Sequence, residues 1–135
     1  MNRVRSMLRS HPHPASRAGD EALACIEACA ECAATCTTCA DACLEEGEVA
    51  SLVKCIRLNL DCADICEVTG RLIARPSRSD EPTLEALLQA CAKVCRACAD
   101  ECEAHAEHME HCRVCAEACR ACAEACEEMA AALVP

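Results

Sequence analysis

From Asp20 onward the chain repeats one motif: a cysteine, two or three alanines or charged residues, then another cysteine. The cysteines fall in four groups: Cys25, Cys29, Cys32, Cys36, Cys39 and Cys43; Cys55, Cys62 and Cys66; Cys91, Cys95, Cys98 and Cys102; and Cys112, Cys115, Cys119, Cys122 and Cys126. Within each group every interval is 3, 4 or 7, the a/d spacing of a bundle helix, so the thiols of one helix share one stripe. In the second group Leu52, Asn59, Thr69 and Ile73 complete the stripe. Alanine between the cysteines favours helix, and the charged residues give a wet outer face.

The boundaries follow from caps and breakers. A first helix should start near Asp20, a plausible N-cap, and stop at Gly47. A second runs from about Glu48 to Ala74, Arg75–Ser79 reads as a linker, and Pro82 suits the first turn of a third helix. From Thr83 to Leu133 there is neither Gly nor Pro. A 50-residue helix does not suit a compact domain, and a turn near His105–Glu110 gives four helices of matched length. The expected fold is all-α: an antiparallel up-down four-helix bundle with a Cys-lined core. Residues 1–17, with Pro12, Pro14 and several Ser, read as a disordered tail, and residues 18–135 as a single domain.

Composition sharpens this picture. The chain of 135 residues contains no Phe, Tyr or Trp but 18 Cys, so the usual bulky core is replaced by thiols. Such a count means a secreted disulfide scaffold or a metal site, and compartment decides which. The first 20 residues are basic but lack a signal-peptide core and consecutive arginines, and the later helices are interrupted by charge. The expectation is a cytoplasmic protein, off the membrane, with reduced thiols. A net charge of −10 argues against nucleic acid as partner and favours solubility.

Cysteine as a plain small hydrophobe explains the pattern poorly, because Leu would bury more area without the risk of oxidation. Thiols at i,i+3 and i,i+4 lie side by side, which disfavours disulfides. Iron–sulfur runs of C-x₂-C-x₂-C are absent, and structural zinc takes CxxC knuckles from turns, whereas here they lie inside long helices. Charge separates the remaining metals. Zinc with four thiolates carries −2, so four such sites would put about −8 in a narrow core. A Cu(I) ion matched to one bridging thiolate is neutral, and soft thiolate suits it. Capacity would approach ~18 Cu(I) ions with bridging and ~9 with unshared two-thiolate sites.

The stretch from Cys25 to Cys126 resembles the cytosolic copper storage proteins, Cys-rich four-helix bundles. The resemblance rests on the cysteine heptads of the first, third and fourth helices and on CEAHAEHMEHCRVCAEACRACAEAC, Cys102 to Cys126. It implies storage of multiple Cu(I) ions along the bundle axis, homotetramers, and a break near the histidines. An exchange partner would be a copper chaperone or a copper-requiring enzyme.

In an up-down bundle one end collects Cys43, His105, His108, Met109 and His111, all usable Cu(I) ligands. The other collects Leu23, Ile73, Leu84, Leu88, Met129 and Leu133, an apolar plug. Asn59 is either a further ligand or a polar core residue. Val49, Val53, Ile56 and Leu60 form a second stripe, for packing between helices or between subunits. The functional expectation is a non-enzymatic Cu(I) store. Its rivals are a Zn/Cd metallothionein-like buffer and a thiol redox protein, the latter needing one cysteine in a distinct environment.

Overall fold

A computed structural model describes residues 1–12, 19–75, 77 and 80–133. Five α-helices follow in order: α1 (Asn2–Ser10), α2 (Gly19–Leu44), α3 (Val53–Ile73), α4 (Glu81–His105) and α5 (Glu110–Leu133). A 3₁₀ turn, Val49–Leu52, leads into α3. Among the described residues all regular structure is helical.

The bundle is α2 to α5. Each of these helices packs against its two neighbours, α2 on α3, α3 on α4, α4 on α5 and α5 back on α2, and diagonal helices meet through side chains at the axis, Cys66 of α3 lying 3.7 Å from Cys122 of α5. That is an antiparallel ring around one axis, and the cysteine stripes face the axis because they are the apolar stripe that all four helices share. All 18 Cys are fully buried or within 1% of it, and all are free thiols.

Local chemistry sets most boundaries. After α2 the chain tightens into a turn, with Glu45 N–H donating to Ala42 C=O at 3.1 Å and Glu46 N–H to Cys43 C=O at 3.2 Å. Asp80 caps α4, its carboxylate accepting from Thr83 N–H at 3.2 Å, and Pro82 stands in the first turn. The α4–α5 break falls at residues 106–109 without Gly or Pro. His108 N–H donates to His105 C=O at 3.2 Å and Met109 N–H to the same oxygen at 3.1 Å, so helical dihedrals persist into the turn. Tertiary pairing of the two halves, rather than a local breaker, decides this fold-back.

Two expectations need correcting. Residues 2–10 form a helix instead of a disordered tail: Val4 and Leu8, four apart, share a face that packs against the core, and the Met1 amino group lies 3.4 Å from Glu27. Prolines and serines further on hid this short amphipathic stretch. Residues 13–17 of the expected tail, and most of the expected Arg75–Ser79 linker, lie outside the described residues. The second correction is that α2 is, by length and composition, apolar enough to cross a membrane. Cys and Ala supply that apolarity, and the six Cys of α2 are buried inside the bundle.

The end formed by the start of α2 and α4 and the end of α3 and α5 is apolar. Leu23, Ile73, Leu84, Leu88 and Met129 are buried there, and Leu133 is partly buried against the core. The second stripe behaves differently. Val53 is 48% exposed and Leu60 47%, whereas Val49 is half-buried and Ile56 packs against the core, so packing within the chain uses only part of this stripe.

Candidate metal site

The four stripes meet as a ladder of sulfurs along the axis. Near the plug, Cys25, Cys29 and Cys126 form a triangle with Sγ–Sγ distances of 4.0 Å, and Cys122 lies 3.7 Å from Cys29. Cys66 then touches Cys91, Cys95 and Cys122 at 3.6 to 3.7 Å. Further along, Cys32 lies 3.8 Å from Cys36, Cys62 and Cys119, while Cys36 and Cys119 are 3.5 Å apart. Taking about 2.3 Å for a metal–thiolate bond, the zinc value, two ligands 120° apart on one ion are about 4 Å from each other. The thiols therefore already stand at ligand separations, and loading requires little helix movement.

Four all-cysteine groups have sulfurs within 4.8 Å of one another: Cys29/91/122/126, Cys32/66/95/122, Cys32/36/62/119 and Cys36/98/115/119. They overlap, since Cys122, Cys32, Cys36 and Cys119 each serve two groups, so no more than two of the four can be filled without sharing a thiol. An isolated Cys₄ zinc site is closed and unshared. This arrangement instead suits an ion that accepts bridging thiolates.

Asn59 occupies the stripe of α3 where a further cysteine would stand, and it is fully buried. Its Oδ1 accepts from Cys98 at 3.0 Å, Cys115 at 3.1 Å and Cys102 at 3.6 Å, and its Nδ2 donates to Cys55 Sγ at 3.6 Å. It thus links thiols of α3, α4 and α5 and offers a neutral oxygen among the sulfurs. Thr69, buried in the same stripe, instead spends its hydroxyl on Ile65 C=O at 2.7 Å.

The opposite end is polar. Cys39, Cys43 and Cys112 form a group with His111, whose Nδ1 lies 3.4 Å from Cys39 Sγ and 3.7 Å from Cys112 Sγ. The other expected ligands of this end divide. Met109 is half-buried against the core, His105 turns its Nε2 to Glu101 at 3.0 Å, and His108 is exposed. Of these four, His111 is the one whose side chain hydrogen-bonds to thiols among the described residues.

Charge is uneven here as well. Cys55 and Cys102 face each other at 3.7 Å, and hydrogen bonding within this thiol cluster, first with Cys102, holds the Cys55 pKa well below the ordinary 9.0. Burial, and then the charge on Cys55, push Cys43 up to about 11 and Cys112 up to about 12. A thiolate near the polar end draws a cation, while its protonated neighbours must release protons when a metal arrives. Sequence reasoning missed Glu46, whose Oε2 lies 2.8 Å from His111 Nε2. Its only trace was an acidic pair just before Gly47.

The family model for copper storage proteins matches residues 18–131. The chain belongs to the copper storage protein family. Among solved structures of the family, Streptomyces lividans Ccsp, a cytosolic copper storage protein, was loaded with 10 copper equivalents. It superposes with a TM-score of 0.92 at 50% identity, over 95% of this chain and 98% of its own. Cu(I)-bound BsCsp3 superposes with a TM-score of 0.73 at 40% identity, over 82% of this chain and 99% of its own. The cysteine-rich protein YhjQ of Bacillus subtilis (strain 168) is 44% identical over 72 residues, 53% of this chain. The chain spans 63% of the length of that relative. Family membership agrees with what the thiol ladder can do: hold many soft cations on bridging sulfurs.

Proposed function

We propose that this copper storage protein sequesters Cu(I) in the cytosol, in a single storage domain over residues 18–135, and turns over no substrate. The 18 core thiolates are the ligands, and His105, His108, Met109 and His111 line the mouth through which ions are handed in and out. The observation that carries this reading is the overlap of the four-cysteine groups, because shared thiols accommodate many monovalent ions without accumulating charge. The cytosolic setting is supported by the Streptomyces lividans relative and by thiols that are all free. Assembly with further copies of the chain, a tetramer in our reading, is supported by the half-exposed Val53 and Leu60 on α3.

The test is an anaerobic titration of the reduced protein with Cu(I) against a competing chelator, repeated with Zn(II). Uptake near one Cu(I) per thiol, ~18 in all, is expected, with zinc bound weakly and displaced by copper. Tight zinc at about one ion per four thiols, resistant to copper, would replace storage with a metallothionein-like buffer.

A further inference from the structure

His111 is held between two different partners. On one side its Nδ1 faces sulfur, 3.4 Å from Cys39 and 3.7 Å from Cys112. On the other its Nε2 meets Glu46 Oε2 at 2.8 Å. A carboxylate can only accept, so a neutral imidazole beside it must carry its proton on Nε2 and turn its lone pair, on Nδ1, toward the thiols. Glu46 is itself fixed: its backbone N–H donates to Cys43 C=O at 3.2 Å, and Cys43 belongs to the same metal-competent group as His111. His105 also has a carboxylate partner, Glu101 at 3.0 Å. What sets His111 apart is the sulfur contact of its second nitrogen.

We propose that Glu46 is a positioning residue for the mouth: it locks His111 in the Nε2–H tautomer and aims Nδ1 at a soft cation held by Cys39, Cys43 and Cys112. Metal-ligating histidines elsewhere owe tautomer and ring orientation to such a carboxylate behind them. The metal half of this proposal rests on the storage reading, but the tautomer is a property of the metal-free protein and can be read without copper.

The experiment uses full-length, reduced, metal-free protein labelled with ¹⁵N at histidine and observed by long-range ¹H–¹⁵N correlation at neutral pH. The wild type is expected to show His111 with protonated Nε2 and bare Nδ1. Glu46→Lys, which offers only donors, should move the proton to Nδ1, and Glu46→Ala should give a mixture. Far-UV circular dichroism checks that each variant keeps the bundle. In anaerobic Cu(I) titrations followed on the His111 Nδ1 resonance, Glu46→Ala and Glu46→Lys should weaken this one site by about 10-fold or more, with total capacity unchanged. Glu46→Gln, which keeps an acceptor oxygen, should recover most of the loss. A wild-type His111 that is doubly protonated or carries its proton on Nδ1 overturns the proposal, as does a Glu46→Ala protein with unchanged tautomer and site affinity. Wild-type protein that takes up no Cu(I) sinks the storage reading and the metal half together, and it does so even where the Nε2–H tautomer is found.

Discussion

Truncating Leu88 to Ala tests whether the apolar end of the bundle is a packed plug. Leu88 lies on α4, is fully buried, and with Leu52 is one of the two largest fully buried side chains among the described residues. The remaining core is mainly cysteine and alanine. The cysteines and alanines are too short to lean into a vacated space, and Ile73, Leu84 and Met129 at the same end can fill only part of it, so a cavity should persist. Buried Leu→Ala replacements cost roughly 2.7–5 kcal/mol, rising with the residual cavity, which places Leu88→Ala at about 4 kcal/mol. With an unfolding entropy of about 2.1 cal/mol/K per residue, a chain of this length loses roughly 14 °C in Tm for that cost. Anaerobic thermal unfolding of reduced, metal-free protein by far-UV circular dichroism measures it, with Val114→Ala as the control. Val114 is 42% exposed on α5, and its truncation should stay within about 1 kcal/mol. A Leu88→Ala protein that melts with the control would show that the plug is not packed, and the argument from short neighbours would fail.

Two further outcomes follow from the polar end. Folding raises Cys43 from 9.0 to about 11 and Cys112 to about 12, chiefly by burial, so their stabilisation is complete below pH 9 and is lost as pH rises through 11 and 12. The denaturant midpoint of the metal-free protein should therefore fall steadily above pH 9, and a flat profile to pH 11 would contradict it. Replacing His105, His108, Met109 and His111 together with non-ligating residues should slow chelator-driven removal of Cu(I) while leaving most of the capacity. Unchanged rates there, with faster removal in a Leu23/Leu84/Leu133 variant, would put the mouth at the other end.

How far the sequence could be read depended on whether a feature was periodic. The stripes of α2 to α5 were legible because each thiol is placed by its neighbours three and four residues away, and a bundle is the arrangement that buries four such stripes. Helix starts at Pro82 and the stop before Gly47 were legible because those residues act locally. α1 was not, since two apolar residues in a basic, proline-flanked stretch acquire meaning only when α2 lies beneath them. The break at residues 106–109 was placed by length matching, with no breaker to mark it. His105, three after Cys102, and His108, four before Cys112, continue the cysteine spacing while His111 does not, so order along the chain could not single out His111, which reaches the sulfurs across the bundle, from His108, which is exposed. Glu46 was invisible for the same reason: its partner lies 65 positions away.

Cys32, Cys36, Cys119 and Cys122 each stand in two of the four-thiol groups, and this overlap makes the core a single extended ligand rather than a row of receptors. An ion that settles in one group changes both the charge and the free lone pairs available to the next. At any intermediate filling the protein is then a population of arrangements with the same number of ions in different places. The loss of one doubly used sulfur does not delete one position but redraws the division of the whole axis.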